Sequence, residues 1–275
     1  MTLMMLKCDC NSDALAVIFG TPQSLSLRSV KMVVEALEVM LDKQFHRQHH
    51  ISSEDRLPLC GENAIFGDVI LIADTALVRI EQTPDPALRK ATFSTALNSH
   101  ALKVLVGIGP DGHVRFVSRA FGVNITDEQL ALESNLADCV YPDARVLFDV
   151  EEGALTAQIE RKGGSLTTST AITQLRPRLM EWRLSELADS TRVHIKRAIA
   201  RARDFRIIQY ELPLDVVPWA SSLIRVCFLL TNFMGHLRDY APGGYTEEDE
   251  EDEEDEEDEE EEEEDDDDDD DDERE

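Results

Sequence analysis

Positive charge is concentrated in one stretch of this 275-residue chain, TRVHIKRAIARARDFR, residues 191–206. Ile195, Ile199 and Ala202 recur at helical spacing and should form a buried stripe. Arg192, Lys196 and Arg203 lie along a neighbouring face, with Arg197 and Arg201 further round. A helix packed on one side and basic on the other either presents a solvated face or offers its cations to a polyanion.

Two other residue sets have types that could do chemistry. Cys8, Cys10 and Cys60, with His46, His49 and His50, supply zinc-ligand types, but their spacing fits no standard zinc pattern. From Glu247 to Glu275 the chain holds 28 acidic residues and Arg274. Of 57 acidic and 27 basic residues overall, that leaves 29 against 26 in residues 1–246, so a near-neutral body carries a polyanionic tail. The tail has no apolar residue to bury and repels itself, which predicts an extended, disordered segment after the YAPGGY hinge at 240–245. It is either a solubilising appendage or a mimic of nucleic-acid charge that binds basic proteins such as histones or a basic face of its own body.

Five scattered cysteines make no disulfide framework, and a reducing compartment follows. Cys227, inside an apolar helix, reads as a small core residue. MTLMMLKCDC is too short an apolar run for a signal peptide, and no stretch reaches membrane-spanning length.

The elements that must position these residues follow from pattern. Residues 1–25 carry no clear signal. Residues 26–45 read as one amphipathic helix, with Val30, Val33, Val34, Leu37, Met40 and Leu41 on its apolar side and Ser26 or Ser29 as cap. Residues 46–63 are polar and loop-like. DVILIADTALVRIE is a strand, QTPDPAL a proline-punctuated loop, and ALKVLVGIG and HVRFVSRAF are strands joined at Pro110-Asp111-Gly112. Thr126 caps a helix through TDEQLALESNL, and ARVLFDV is a short strand ending at Asp149. Residues 153–170 are poorly patterned, and a helix is expected over 176–188. After FRIIQYELPL comes a strongly apolar final helix, SSLIRVCFLLTNFMGHL. Strand, strand, strand, helix, strand is the opening of an RNase H-like α/β fold, a mixed sheet flanked by helices.

The basic helix followed by F-R-I-x-Q, L-P-L and V-C-x-L-L-T-N resembles the C-terminal end of DDE-superfamily transposase endonucleases of the Harbinger-like group. PDPALRKATFS, HALKVLVGIGPDGHVRFVSRAFG and TDEQLALES resemble the same family's core in the same order. The resemblance covers roughly residues 68–237, with a weak interval over 151–185. It implies three parts: an N-terminal segment (1–67) with one helix of a helix-turn-helix remnant, an endonuclease-type domain (68–240) and the acidic tail (241–275).

What the resemblance implies about the site is specific. Such nucleases clamp divalent metal, Mg²⁺ or Mn²⁺, between acids from the first strand, the end of the fourth strand and a late helix. Asp74 matches the first ligand and Asp149 the second, although the family's D-x-G-F has become Asp149-Val150-Glu151-Glu152. The third catalytic position, glutamate in the family's H-V-E-R, is Lys196 in His194-Ile195-Lys196-Arg197. Asp127 resembles a further acid able to face the metal, or is a helix-start charge favoured by the dipole. Asp143 reads as a turn residue. A lysine at the third position repels a metal and is expected to pair with Asp74 and Asp149. The leading expectation is a nuclear, transposase-derived protein that has lost cleavage and binds nucleic acid or protein. Its alternatives are an active metal-dependent endonuclease, with Glu151 or Glu152 as substitute ligand, and a chromatin protein acting through its tail.

Overall fold

Two apolar faces on a single five-strand path organise the protein in the computed structural model, which describes residues 1–45, 69–151, 153–168, 193–235 and 237. The chain divides into Met1–Tyr240 and Ala241–Glu275, and every element below belongs to the first. The expected helix over 176–188, the tail and its hinge, and His46, His49, His50 and Cys60 all lie outside the described residues.

Strand β1 (Val69–Arg79) is central. Strand β3 (Ser99–Ile108) pairs antiparallel on one side of it, and β6 (Arg145–Phe148) pairs parallel on the other. Strand β7 (Ser165–Thr167) extends β6 in parallel, while β2 (Phe93–Ser94), β4 (Val114–Val117) and β5 (Phe121–Gly122) all pair with β3. The path β2-β3-β1-β6-β7, antiparallel then parallel about its first long strand, is the RNase H-like arrangement expected.

Alternation along the strands divides the core into two layers. Ile72, Ala76, Val78, Val104, Val106 and Leu147 enter one layer, and Leu71, Ala73, Leu105, Val146 and Phe148 the other. Helix α5 (Asp127–Glu133) and helix α6 (Ala154–Arg161) cover the second layer through Leu130, Leu155 and Ile159. The first is covered by the helix over residues 193–203 (α7), the short helix α8 (Arg206–Gln209) and the apolar helix α9 (Ala220–Leu230). A short helix, α4 (Pro86–Thr92), capped by Asp85 through the Ala87 N–H at 2.9 Å, occupies the end of the stretch read as a loop.

The N-terminal residues hold two helices that patterning did not reveal, α1 (Thr2–Cys8) and α2 (Ser12–Phe19). Their signals are local: Asn11 accepts the Ala14 N–H at 2.8 Å, and Gly20, at φ 61°, ends α2 in the left-handed region. Helix α3 (Gln23–Phe45) follows. Leu6, Leu15, Val30, Val34 and Leu41 share one core with Leu223 and Val226 of α9, so the N-terminal helices are built into the sheet layer. Arg225 of α9 ties α3 down, donating to Glu38 at 2.8 Å and Asp42 at 2.6 Å. Val33 and Met40, expected on the inner face, are instead 44% and 66% exposed. Ser26 does not cap α3 but lies buried within it, bonded to Thr21.

The hairpin turn follows its sequence, with Gly112 at φ 82°. Its second arm breaks after Val117, because the Ser118 hydroxyl accepts the Leu105 N–H at 2.8 Å in place of a backbone carbonyl. Thr126 caps α5 through the Gln129 N–H at 3.2 Å, and Asp143 takes a turn conformation at φ 64°, both as read.

Candidate functional site

Asp74 lies in the middle of β1 and Asp149 one residue past the end of β6. The parallel register sets Ile72 against Leu147 and Ala73 against Phe148, so the next step on each strand brings Asp74 alongside Asp149. Both share the parity of Ile72 and Leu147, which enter the first core layer, so the two carboxylates stand on the face covered by α7. Asp74 is half-buried and accepts the Thr75 N–H at 2.7 Å, while Asp149 is exposed. Two carboxylates side by side, one within β1 and one just past the end of the parallel strand β6, can share a cation where their oxygens reach the same space.

Helix α7 packs on this layer through Ile195, Ala198, Ile199 and Ala202, which include the expected stripe. Lys196 is exposed on the solvent side of the helix. The basic face is also narrower than its sequence suggested. Arg203 is exposed and Arg197 half-buried, but Arg201 is buried, and its Nη1 donates to the Gly235 carbonyl at 2.7 Å. His194 is buried as well.

Asp127 lies apart from the other two acids. It begins α5 on the opposite layer, with Oδ1 2.5 Å from Lys103 Nζ, and Lys103 projects from β3 with the parity of Leu105. The structure therefore brings together two of the three acids proposed as metal ligands. Among the described residues no group of three His, Cys, Asp or Glu is placed to hold a metal ion. Glu151, weighed as a substitute ligand, is exposed just past Asp149, and Glu152 lies outside the described residues.

Residues 73–232 match the family described as DDE superfamily endonuclease. The match covers more than half of the chain, opens at the residue before Asp74 and contains Asp149 and Lys196. The chain belongs to the DDE endonuclease superfamily. No curated protein and no solved structure matches it.

Two residues that build this DDE domain stand inside motifs of the sequence but have roles that only the structure shows. Asn232, last in the matched range, uses its side-chain amide as a strand: Oδ1 accepts the Val114 N–H at 2.7 Å and Nδ2 donates to the Val114 carbonyl at 2.8 Å. The asparagine of the L-L-T-N motif thus pairs with β4 at Val114. Asp111 at the hairpin accepts from Arg115 at 2.5 Å and from the His113 backbone N–H at 3.2 Å. Burial opposes its ionisation, but hydrogen bonds from His113 and Arg115 and the Arg115 charge outweigh that and hold the carboxyl well below the ordinary range. A cavity of about 210 Å³ lies here, lined by Asp111, His113, Arg201, Thr231 and Asn232, and touches neither Asp74 nor Asp149. The carboxylate pair is the better candidate site, because both acids lie within the family match and on neighbouring strands of the sheet.

Cys227 is buried and Cys139 half-buried. Burial pushes the Cys227 thiol far up, and burial together with Asp138 pushes Cys139 up to about 11. No helix among the described residues is long and apolar enough to cross a membrane.

Proposed function

We propose that this DDE-superfamily protein does not cut DNA and acts instead by binding nucleic acid or basic proteins in the nucleus. What supports this is the chemistry of Lys196, an exposed cation on α7 at the position where the resemblance to the Harbinger-like group implies the third acid. Metal-dependent phosphodiester hydrolysis uses one ion to activate water and another to stabilise the leaving oxygen, and both are held by carboxylate. An ammonium in that position donates no lone pair while protonated and lowers local cation occupancy.

The same substitution suits binding. Lys196, Arg203 and Arg206 are exposed cations on consecutive helices, and a phosphate backbone is recognised by such groups without base contacts. The run from Glu247 to Glu275 supports a second class of partner, basic proteins such as histones, held by charge.

Nicking of supercoiled DNA with Mg²⁺ or Mn²⁺ tests the proposal. Wild-type protein is expected to leave the DNA intact. Metal-dependent nicking abolished by Asp74→Ala would replace this reading with that of an active endonuclease, and loss of the same activity in Glu151→Gln would identify the substitute ligand. For the tail, removal of residues 246–275 is expected to abolish histone binding, and the binding of the full chain should weaken as salt screens it.

A further inference from the structure

Helix α3 buries one face and leaves a second apolar face outside. Ser26, Val30, Val34 and Leu41 point into the core, and Glu38 and Asp42 are held by Arg225. On the far side Leu25 is 50% exposed, Met32 61%, Val39 53% and Met40 66%. A solvent-facing helix side normally carries polar residues, and a contiguous apolar patch of this kind marks an interaction site. Its few cations make it unlike a phosphate-binding surface.

The spacing suits a second helix. Leu25, Ser29, Met32, Ala36, Val39 and Lys43 alternate four and three residues apart, which is the seam of a two-helix coiled coil. We propose that this face pairs antiparallel with α3 of a second copy of the chain. In that register Met32 meets Ala36 of the other copy, Val39 meets Ser29, and Leu25 lies along the aliphatic stem of Lys43. Each large side chain faces a small or flexible one, so every layer fills. A parallel pair would stack Met32 on Met32, leave Ala36 facing Ala36, and oppose Lys43 with Lys43.

Charge complements the same orientation. Arg28, Glu35 and Asp42 lie seven residues apart along one edge of the seam. Antiparallel pairing places Arg28 near Asp42 of the other copy twice over, while Glu35 near the axis already has Lys31 at 3.8 Å. Each copy also carries a formal charge of −30, so two copies repel at long range. The contact is therefore apolar and short-ranged, opposed by screened repulsion, and should tighten as salt rises.

Sedimentation equilibrium of the full chain tests this, from low-micromolar concentration upward and from low to half-molar salt. The expected result is a monomer–dimer equilibrium that shifts toward dimer with salt. Ala36→Glu and Met32→Lys should each weaken it by roughly tenfold or more, with unchanged thermal melts showing that the fold is intact. Orientation is read with Cys8→Ser protein: Met32→Cys mixed with Ala36→Cys should cross-link more than either alone. A monomer at every concentration and salt, or a dimer indifferent to Ala36→Glu and Met32→Lys, would overturn the proposal. Cross-linking strongest for Met32→Cys alone would mean a parallel seam and would overturn the antiparallel one.

Discussion

Asp74 and Asp149 reach the same face of the sheet from adjacent parallel strands, one step beyond the pairing of Ala73 with Phe148. They come from positions 75 residues apart, and the ladder that ends with Ala73 and Phe148 sets them next to one another. A carboxylate pair held in this way should bind divalent cations weakly, and more weakly for the cation on α7. Replacing Lys196 with glutamate is expected to raise Mn²⁺ affinity roughly tenfold, about 1.4 kcal/mol, read by calorimetry on the purified protein. Full cleavage is not expected to return, because the D-x-G-F residues after Asp149 have also changed. Equal affinity in both proteins would show that Lys196 does not act on the carboxylates.

Asn232 should matter for stability out of proportion to its exposure. Asn232→Ala removes both bonds to Val114 and leaves a strand edge without partners, at about 1–3 kcal/mol. Asn232→Asp should cost more, since a carboxylate oxygen would then face the Val114 carbonyl. Urea denaturation of the two variants orders these effects.

Arg225 joins α9 to α3 through two acids, with Glu38 20% and Asp42 42% exposed. Arg225→Met keeps the stem and discards the charge. Allowing for the solvent around Asp42, the expected loss is about 1–2 kcal/mol. Arg225→Lys should recover only part of it, because an ammonium does not present two parallel donors. Amide hydrogen exchange should localise the loosening to α3.

The hairpin predicts a pH dependence. Asp111 titrates below its unfolded value when folded, so its stabilisation is complete above about pH 4 and is lost as pH falls toward the lower folded value. Asp111→Asn should be less stable than wild type at neutral pH by about 1–3 kcal/mol, and the two should converge in acid. Stability measured across pH 2–7 checks the sign, and a gap constant with pH would show that the carboxylate's charge is not what matters.

The strands around Asp74 and Asp149, the hairpin turn at Gly112, the Thr126 cap and the apolar stripe of α7 were legible because each depends on residues near in sequence. The pairing of the two acids was legible only through resemblance, since nothing local in either strand says which neighbour it will have. Helix α6 was missed for a related reason. It presents two main apolar anchors, Leu155 and Ile159, and its first turn is satisfied from outside, the Leu155 N–H donating to Glu128 of α5 at 3.2 Å. Strand β7, three residues long, exists as a strand only because β6 offers it a parallel edge.

Composition and periodicity by themselves determined the fold class, the near-neutral body with its polyanionic tail, and the presence of an apolar C-terminal helix, because these are sums over local choices. Tertiary packing decided which sides face inward. Helix α3 is apolar around most of its circumference, and only α9, with Arg225 reaching Glu38 and Asp42, selects Val30 and Val34 for the core and leaves Met32 and Met40 outside. Helix α7 shows the converse: Arg201 belongs by sequence to the basic side of the helix and is nonetheless buried, because the chain after α9 returns to place the Gly235 carbonyl within its reach. A residue's type sets what its side chain costs to bury. Whether that cost is met depends on a partner that the chain brings in from elsewhere.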